Sequence, residues 1–235
     1  MHSHVLPGID DGCASVSESL ESIRVLIEHG YVGTICTPHC WPNIYPGNTP
    51  THIKMWVQDL EQEIKSAGLG YRLWPGGELR IFPEAIAWMQ SHGVPALADS
   101  RYVLCDFWET RWEKWIDQTF DWLFEQGYTP ILAHPERSPT KKDYEKHLDR
   151  WADRGLLLQG NLQCFTGEAG YRPDQFVRQY MGEQRYTFLA IDMHRPDSLQ
   201  GRLDGIGVAG AEYGPQVIEA MLDTRVREHI FNSPQ

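Results

Sequence analysis

Apolar residues recur along this chain in short runs, separated by longer segments in which they return every three or four positions. The short runs read as strands at 31–37, 71–75, 102–107, 128–133, 156–160 and 186–191. A helix capped by Ser15 or Ser17 carries Leu20, Ile23 and Ile27 and closes at Gly30. Further helices are expected at 51–67, with Ile53, Trp56, Leu60 and Ile64 on one side, and at 83–91. Another is expected at 112–125, with a stripe of Trp115, Thr119, Trp122 and Leu123, and others at 143–154, 173–182 and 214–231. Strands alternating with helices imply parallel pairing through helical crossovers. The expected architecture is α/β, a somewhat distorted TIM-like barrel of about seven strands, whose chemistry belongs at the C-terminal strand ends.

No repeat or Ser/Gly-rich linker divides the 235 residues, so a single domain over 1–235 is expected. An apolar fraction of 41% with mean hydropathy -0.45 fits a water-soluble chain, and no apolar run approaches a membrane span. Stable membrane insertion is therefore not expected. The formal charge of -11 argues against a general nucleic-acid surface. Five cysteines, with no C-x-x-C pair, argue against a disulfide framework and favour a reducing cytoplasm. Most of the nine tryptophans sit at helical spacing and read as packing residues.

Composition leaves the chemistry open; the strand ends do not. Five histidines and four carboxylates stand at turns that close the expected strands: His2, His4, Asp11, His39, Glu78, Asp106, His134, Asp192 and His194. Met1-His2-Ser3-His4 puts two imidazoles on one face of an extended backbone. A lone H-x-H is more often surface than ligand. Imidazoles and carboxylates gathered after successive apolar runs instead read as a polynuclear metal site. Asp10 suits the turn before Gly12 better than Asp11 does. His29, His52, His92, His147 and His229 lie in or beside expected helices and read as surface or packing residues.

In this order the segments resemble the PHP (polymerase and histidinol phosphatase) superfamily, and within it the capsule-biosynthesis protein-tyrosine phosphatases of the CpsB/YwqE type. The resemblance rests on His2-Ser3-His4-Val5-Leu6-Pro7-Gly8-Ile9-Asp10-Asp11-Gly12, Thr37-Pro38-His39, Gly77-Glu78, Asp99-Ser100-Arg101-Tyr102-Val103-Leu104, Ala133-His134-Pro135-Glu136-Arg137 and Asp192-Met193-His194. Gln159-Gly160-Asn161, ahead of Thr166-Gly167, matches as well. It implies a distorted (β/α)7 barrel of the PHP type and three divalent ions, manganese first, with iron or zinc as other choices. Carried over by position, His2, His4, Glu78 and Asp192 hold one ion; Glu78, Asp106 and His134 hold the second; Asp11, His39 and His194 hold the third. Arg137 and Arg202 correspond to phosphate-binding arginines.

The implied reaction is hydrolysis of phosphotyrosine on the tail of a bacterial tyrosine kinase controlling capsular or exopolysaccharide synthesis, by a metal-activated hydroxide. Two departures stand out. Asp106 replaces a Glu of the family and is one methylene shorter. Met1 abuts His2 where relatives carry a short strand, so the first strand is expected to be nearly absent. Two other readings belong beside this one: another PHP phosphoesterase, histidinol-phosphatase-like or acting on small phosphate monoesters, and a weakly catalytic metal-binding partner of the kinase.

One competing motif is rejected on chemical grounds. Cys105 and Arg111 satisfy C-x5-R, the pattern of cysteine-dependent tyrosine phosphatases. That chemistry needs backbone N–H groups curled around a dianion and a low-pKa thiolate. This segment has no Gly and sets Asp106 and Glu109 where the phosphate would lie.

Overall fold

The computed structural model describes residues 1–109, 111–138 and 141–232, with backbone alone at 141–143. It is an α/β fold built on parallel strands, as the alternating pattern requires. Strands β1 (Gly33–Cys36) and β3 (Arg72–Pro75) pair with one another, and just beyond them β2 (His39–Cys40) pairs with β4 (Glu78–Arg80). Pro38 and the pair Gly76-Gly77 interrupt what are in effect two longer strands. From β4 the sheet continues through β5 (Tyr102–Asp106), β6 (Thr129–Ala133), β7 (Leu157–Asn161) and β8 (Phe188–Ala190), every pairing parallel. The N-terminal segment reaches both flanks: Ser3 bridges Met193 beyond β8, and its carbonyl accepts from the Thr37 amide at 2.8 Å beyond β1.

Both faces of the central strands are apolar, as a parallel sheet buried on two sides demands. Val103, Cys105, Leu132, Leu158 and Leu189 join the core beneath the helices. The alternate residues Leu104, Ile131 and Phe188 pack in a second cluster closed by Val226 and Ile230. The helices are α1 (Val16–Glu28), α2 (Pro50–Ser66), α3 (Ala85–His92), α4 (Lys114–Glu125), α5 (Lys141–Ala152), α6 (Tyr171–Gly182), α7 (Pro196–Tyr213) and α8 (Pro215–Glu219). Ser15 is the cap of α1, its side chain accepting from the Glu18 amide. In α4 the buried face is Ile116, Thr119, Phe120 and Leu123, with Trp115 and Trp122 flanking it, a small rotation from the expected stripe.

Helix α7 is absent from the sequence expectation. Gly201, Gly205, Gly207 and Gly210 fall within it, and Gly costs about 1 kcal/mol in a helix interior. Tertiary packing reverses that preference at Gly205, where any Cβ would overlap the Leu162 carbonyl. No helix among the described residues is long and apolar enough to cross a membrane.

Candidate metal centre

The nine candidate ligands meet at the C-terminal ends of the strands. His2 and His4 follow the opening segment, His39 begins β2, Glu78 begins β4, and Asp106 ends β5. His134 follows β6; Asp192 and His194 follow β8. Two of them hold left-handed backbone, His134 at φ 34° and Asp192 at φ 49°. Such conformations are uncommon away from Gly and are retained where surrounding structure enforces them, often at functional sites. Gly12 has a local reason to be Gly: a Cβ there would overlap the His4 carbonyl.

At the middle of the cluster four atoms converge. His2 Nε2 lies 3.3 Å from His4 Nε2, 3.4 Å from Glu78 Oε2 and 3.2 Å from Asp192 Oδ1. His4 Nε2 lies 3.5 Å from each of those two oxygens. Two ligands each about 2.1 Å from a shared ion, at tetrahedral or right angles, are themselves about 3.0–3.4 Å apart. Glu78 Oε2 and Asp192 Oδ1 are also buried and without a hydrogen-bond partner, which is costly unless a cation faces them. The donor set therefore fits a divalent metal.

Further groupings surround this one, among them His2, His134 and Asp192, which share its buried side. Glu78, Asp106 and His134 form a second, with His134 Nε2 at 3.0 Å from Glu78 Oε1 and Nδ1 at 3.9 Å from Asp106. Asp11, His39 and His194 form a third, joined by His4, with Asp11 Oδ1 at 3.3 Å from His39 and 3.6 Å from His194. His39 Nδ1 also lies 2.9 Å from Glu78 Oε2, tying the groups together through that carboxylate.

The proton affinities carry the same signature. Burial penalises the charge of Glu78, yet His2 and His39 outweigh it and hold the carboxyl well below its ordinary value. Asp192 is likewise depressed, burial being outweighed by His2, His4 and His194. Burial disfavours the His39 imidazolium, but Glu78 and Asp11 raise its pKa to about 10. Burial and neighbouring His4 push His194 down to about 4. Asp106 is raised, chiefly by burial. Divalent cations compete with protons for these same lone pairs.

The sequence comparisons agree with the geometry. The family described as capsular polysaccharide synthesis, CpsB/CapC, matches residues 1–222. The chain belongs to the CpsB/CapC family. It is similar to tyrosine-protein phosphatase YwqE of Bacillus subtilis, at 26% identity over 194 residues, covering 83% of this chain and 76% of that protein. Tyrosine-protein phosphatase CpsB of Streptococcus pneumoniae is 25% identical over 206 residues, covering 84% and 83% of the two chains. A solved structure from work on YwqE and CpsB, described there as unique metal-dependent tyrosine phosphatases, superposes with TM-score 0.88 at 24% identity. It covers 99% of this chain and 94% of its own, so the fold is shared over nearly the whole length.

Around the candidate ligands of this CpsB/CapC chain runs a second row of polar side chains. Gln159 Oε1 lies 2.7 Å from His2 Nδ1, and Asp10 Oδ2 lies 2.7 Å from His4 Nδ1. Engaging Nδ1 leaves each Nε2 lone pair aimed at the centre. Asp10 serves the turn as expected, accepting from Gly12, but it also orients His4, a task local spacing does not reveal. Asn161 donates to Asp192 Oδ2 at 2.7 Å. Buried Glu136 accepts from the Asn161 amide at 2.7 Å and from the Tyr186 hydroxyl at 2.6 Å; only its place in the His134–Arg137 segment marked it.

Both candidate arginines converge on Asp192. Arg137 Nη1 lies 3.4 Å from its Oδ2. Arg202 donates to the Ile191 carbonyl at 3.1 Å and to the Asp192 carbonyl, holding the turn that presents this ligand. A cavity of about 300 Å³ opens beside the centre, lined by Asp106, Phe107, Trp108, His134 and Arg137 among others. A larger cavity of about 950 Å³, along β1, β3 and the C-terminal helices, holds none of the candidate ligands.

Proposed function

We propose that this chain is a metal-dependent protein-tyrosine phosphatase acting on the phosphotyrosine tail of a bacterial tyrosine kinase that controls capsular or exopolysaccharide synthesis. The observation that carries the reading is the convergence of two buried oxygens, Glu78 Oε2 and Asp192 Oδ1, neither in a hydrogen bond of ordinary geometry, on the His2 and His4 Nε2 atoms. Membership of the CpsB/CapC family and relatives named tyrosine phosphatases support it. In this reading three divalent ions, manganese first, are held by His2, His4, Glu78 and Asp192; by Glu78, Asp106 and His134; and by Asp11, His39 and His194, sets that the overlapping ligand groupings of the site support. Five buried free thiols support a reducing cytoplasmic setting.

When bound, such ions supply Lewis acidity and bring the pKa of water toward neutrality. Arg137, partly exposed at the rim of the cavity, orients the phosphoryl group through its planar guanidinium, and Arg202 fixes the Asp192 turn behind it. The leaving phenolate needs no strong general acid, since the phenol has a pKa of about 10. The test is a comparison of kcat/KM in Mn²⁺ for a phosphotyrosine peptide, an aryl phosphate and histidinol phosphate. The first two should be hydrolysed far better. A preference for histidinol phosphate would reassign the substrate, and activity at background with full metal content would reduce the chain to a metal-binding partner.

Arg137→Ala is expected to lose about 2–3 kcal/mol of transition-state stabilisation, roughly 30- to 150-fold in kcat/KM, as a charge-assisted contact to phosphate disappears. Lys cannot reproduce the bidentate fork, so Arg137→Lys should recover only part. A wild-type kcat/KM in the Ala variant would remove Arg137 from the site.

A further inference from the structure

We infer that Trp108 is the residue that selects an aromatic phosphate ester here, its indole forming the wall on which the substrate's phenol ring packs. This rests on the phosphatase reading and adds to it the surface that tells an aryl from an alkyl ester. Asp106, His134 and Arg137 share one cavity of about 300 Å³ with Phe107 and Trp108. A phosphoryl group held at the ligands and Arg137 therefore leaves its ester substituent beside Phe107 and Trp108. Tryptophan is highly buried on average, yet Trp108 is 52% exposed.

The ring is nevertheless fixed from behind. The Arg80 guanidinium carbon lies 5.1 Å from the Trp108 ring centre and 5.2 Å from that of Trp41. The two indoles meet edge to face at 5.2 Å, and Arg80 donates to Glu109 at 2.8 Å, so its charge is balanced locally. Arg80 is itself 9% exposed and adjoins Asp106 in the β4–β5 register. The face of the ring packed on Trp41 and Arg80 is held in place, while the other half stays open to the cavity. It suits a partner ring that arrives with the substrate. An alkyl phosphate offers no such ring, so the subsite favours phosphotyrosine over phosphoserine by contact as well as by leaving-group chemistry.

Calorimetry on the full chain loaded with Mn²⁺ tests this without relying on turnover, using phenylphosphonate and methylphosphonate as probes. Wild type should prefer the phenyl probe. Trp108→Ala should weaken phenylphosphonate by roughly tenfold, the scale of a lost aromatic contact, and leave methylphosphonate nearly unchanged. Trp108→Phe should restore most of the difference. Arg80→Met, altering a positioning residue, should shrink the phenyl-to-methyl ratio at unchanged metal content. If Trp108→Ala weakens both probes equally, or neither, the subsite is overturned while the phosphatase reading stands. If metal-loaded wild type binds neither phosphonate, the phosphatase reading falls and the subsite with it.

Discussion

Exhaustive chelation with EDTA is expected to abolish phosphatase activity, and Mn²⁺ to restore it further than Mg²⁺. The site offers five imidazoles, those of His2, His4, His39, His134 and His194, among its nine candidate ligands. Mg²⁺ prefers an all-oxygen octahedron and gives up water reluctantly, whereas Mn²⁺ accepts mixed nitrogen and oxygen donors. The protein itself should register the loss. Glu78 Oε2 and Asp192 Oδ1 are buried without hydrogen-bond partners, so metal binding to the folded chain should raise Tm in a concentration-dependent way. Full activity after verified removal of metal would sink the metal mechanism. An unchanged melting curve on adding Mn²⁺ would argue that the cluster does not bind it.

His134→Ala should lose nearly all activity, beyond roughly a hundredfold, because even groups one step behind a ligand cost about 10- to 100-fold. Its Nε2 lies 3.0 Å from Glu78 Oε1, and it is the one imidazole in the Glu78–Asp106–His134 grouping. Cys105→Ser should keep most activity. Cys105 and Asp106 are consecutive in β5, so their side chains point to opposite faces. The thiol is fully buried in the core under the helices and faces the Val103 carbonyl at 3.6 Å. Burial, then the charges of Asp106 and Glu78, push its pKa well up, the reverse of what a nucleophilic thiolate needs. Thr110, inside the C-x5-R match, lies outside the described residues. Measured on folded, purified variants, the opposite ranking would install the cysteine mechanism and remove the metal one.

Much of this site is legible in the amino-acid sequence because ligation depends on atom type and on local chain geometry. Imidazoles and carboxylates placed just after apolar runs locate themselves at strand ends, and parallel strands bring those ends to one edge. The same logic identifies the strands from 102 to 191 to within one or two residues at each end. It fails where local preference and tertiary packing disagree. Helix α7 carries four glycines and is not among the expected helices, yet Gly205 is what lets it approach Leu162. The stripe expected on α4 leans on Trp115 and Trp122, whose bulk places them at the margin of the buried face, with Ile116 and Phe120 inside. Trp108, which lies outside the expected helices and which no sequence signal singled out, is half open beside the centre.

The sequence by itself determined which residues can ligate and that they lie at successive strand ends, since both follow from side-chain chemistry and apolar periodicity. Only the tertiary structure decided how they are shared. It set His4 against Asp11, His39 and His194 as well as against His2, and it brought His39 to 2.9 Å from Glu78. It also placed Gln159 behind His2, Asp10 behind His4 and Asn161 behind Asp192. Gln159 and Asn161 stand 157 and 31 residues from the ligands they support, while Asp10 stands only 6 away yet acts through a fold of the chain back on itself. Contacts of this kind are fixed by strand register, by how the opening segment seats between Thr37 and Met193, and by the left-handed turns at His134 and Asp192. Those are properties of the assembled sheet, in which a shift of one residue would turn every ligand to the other face.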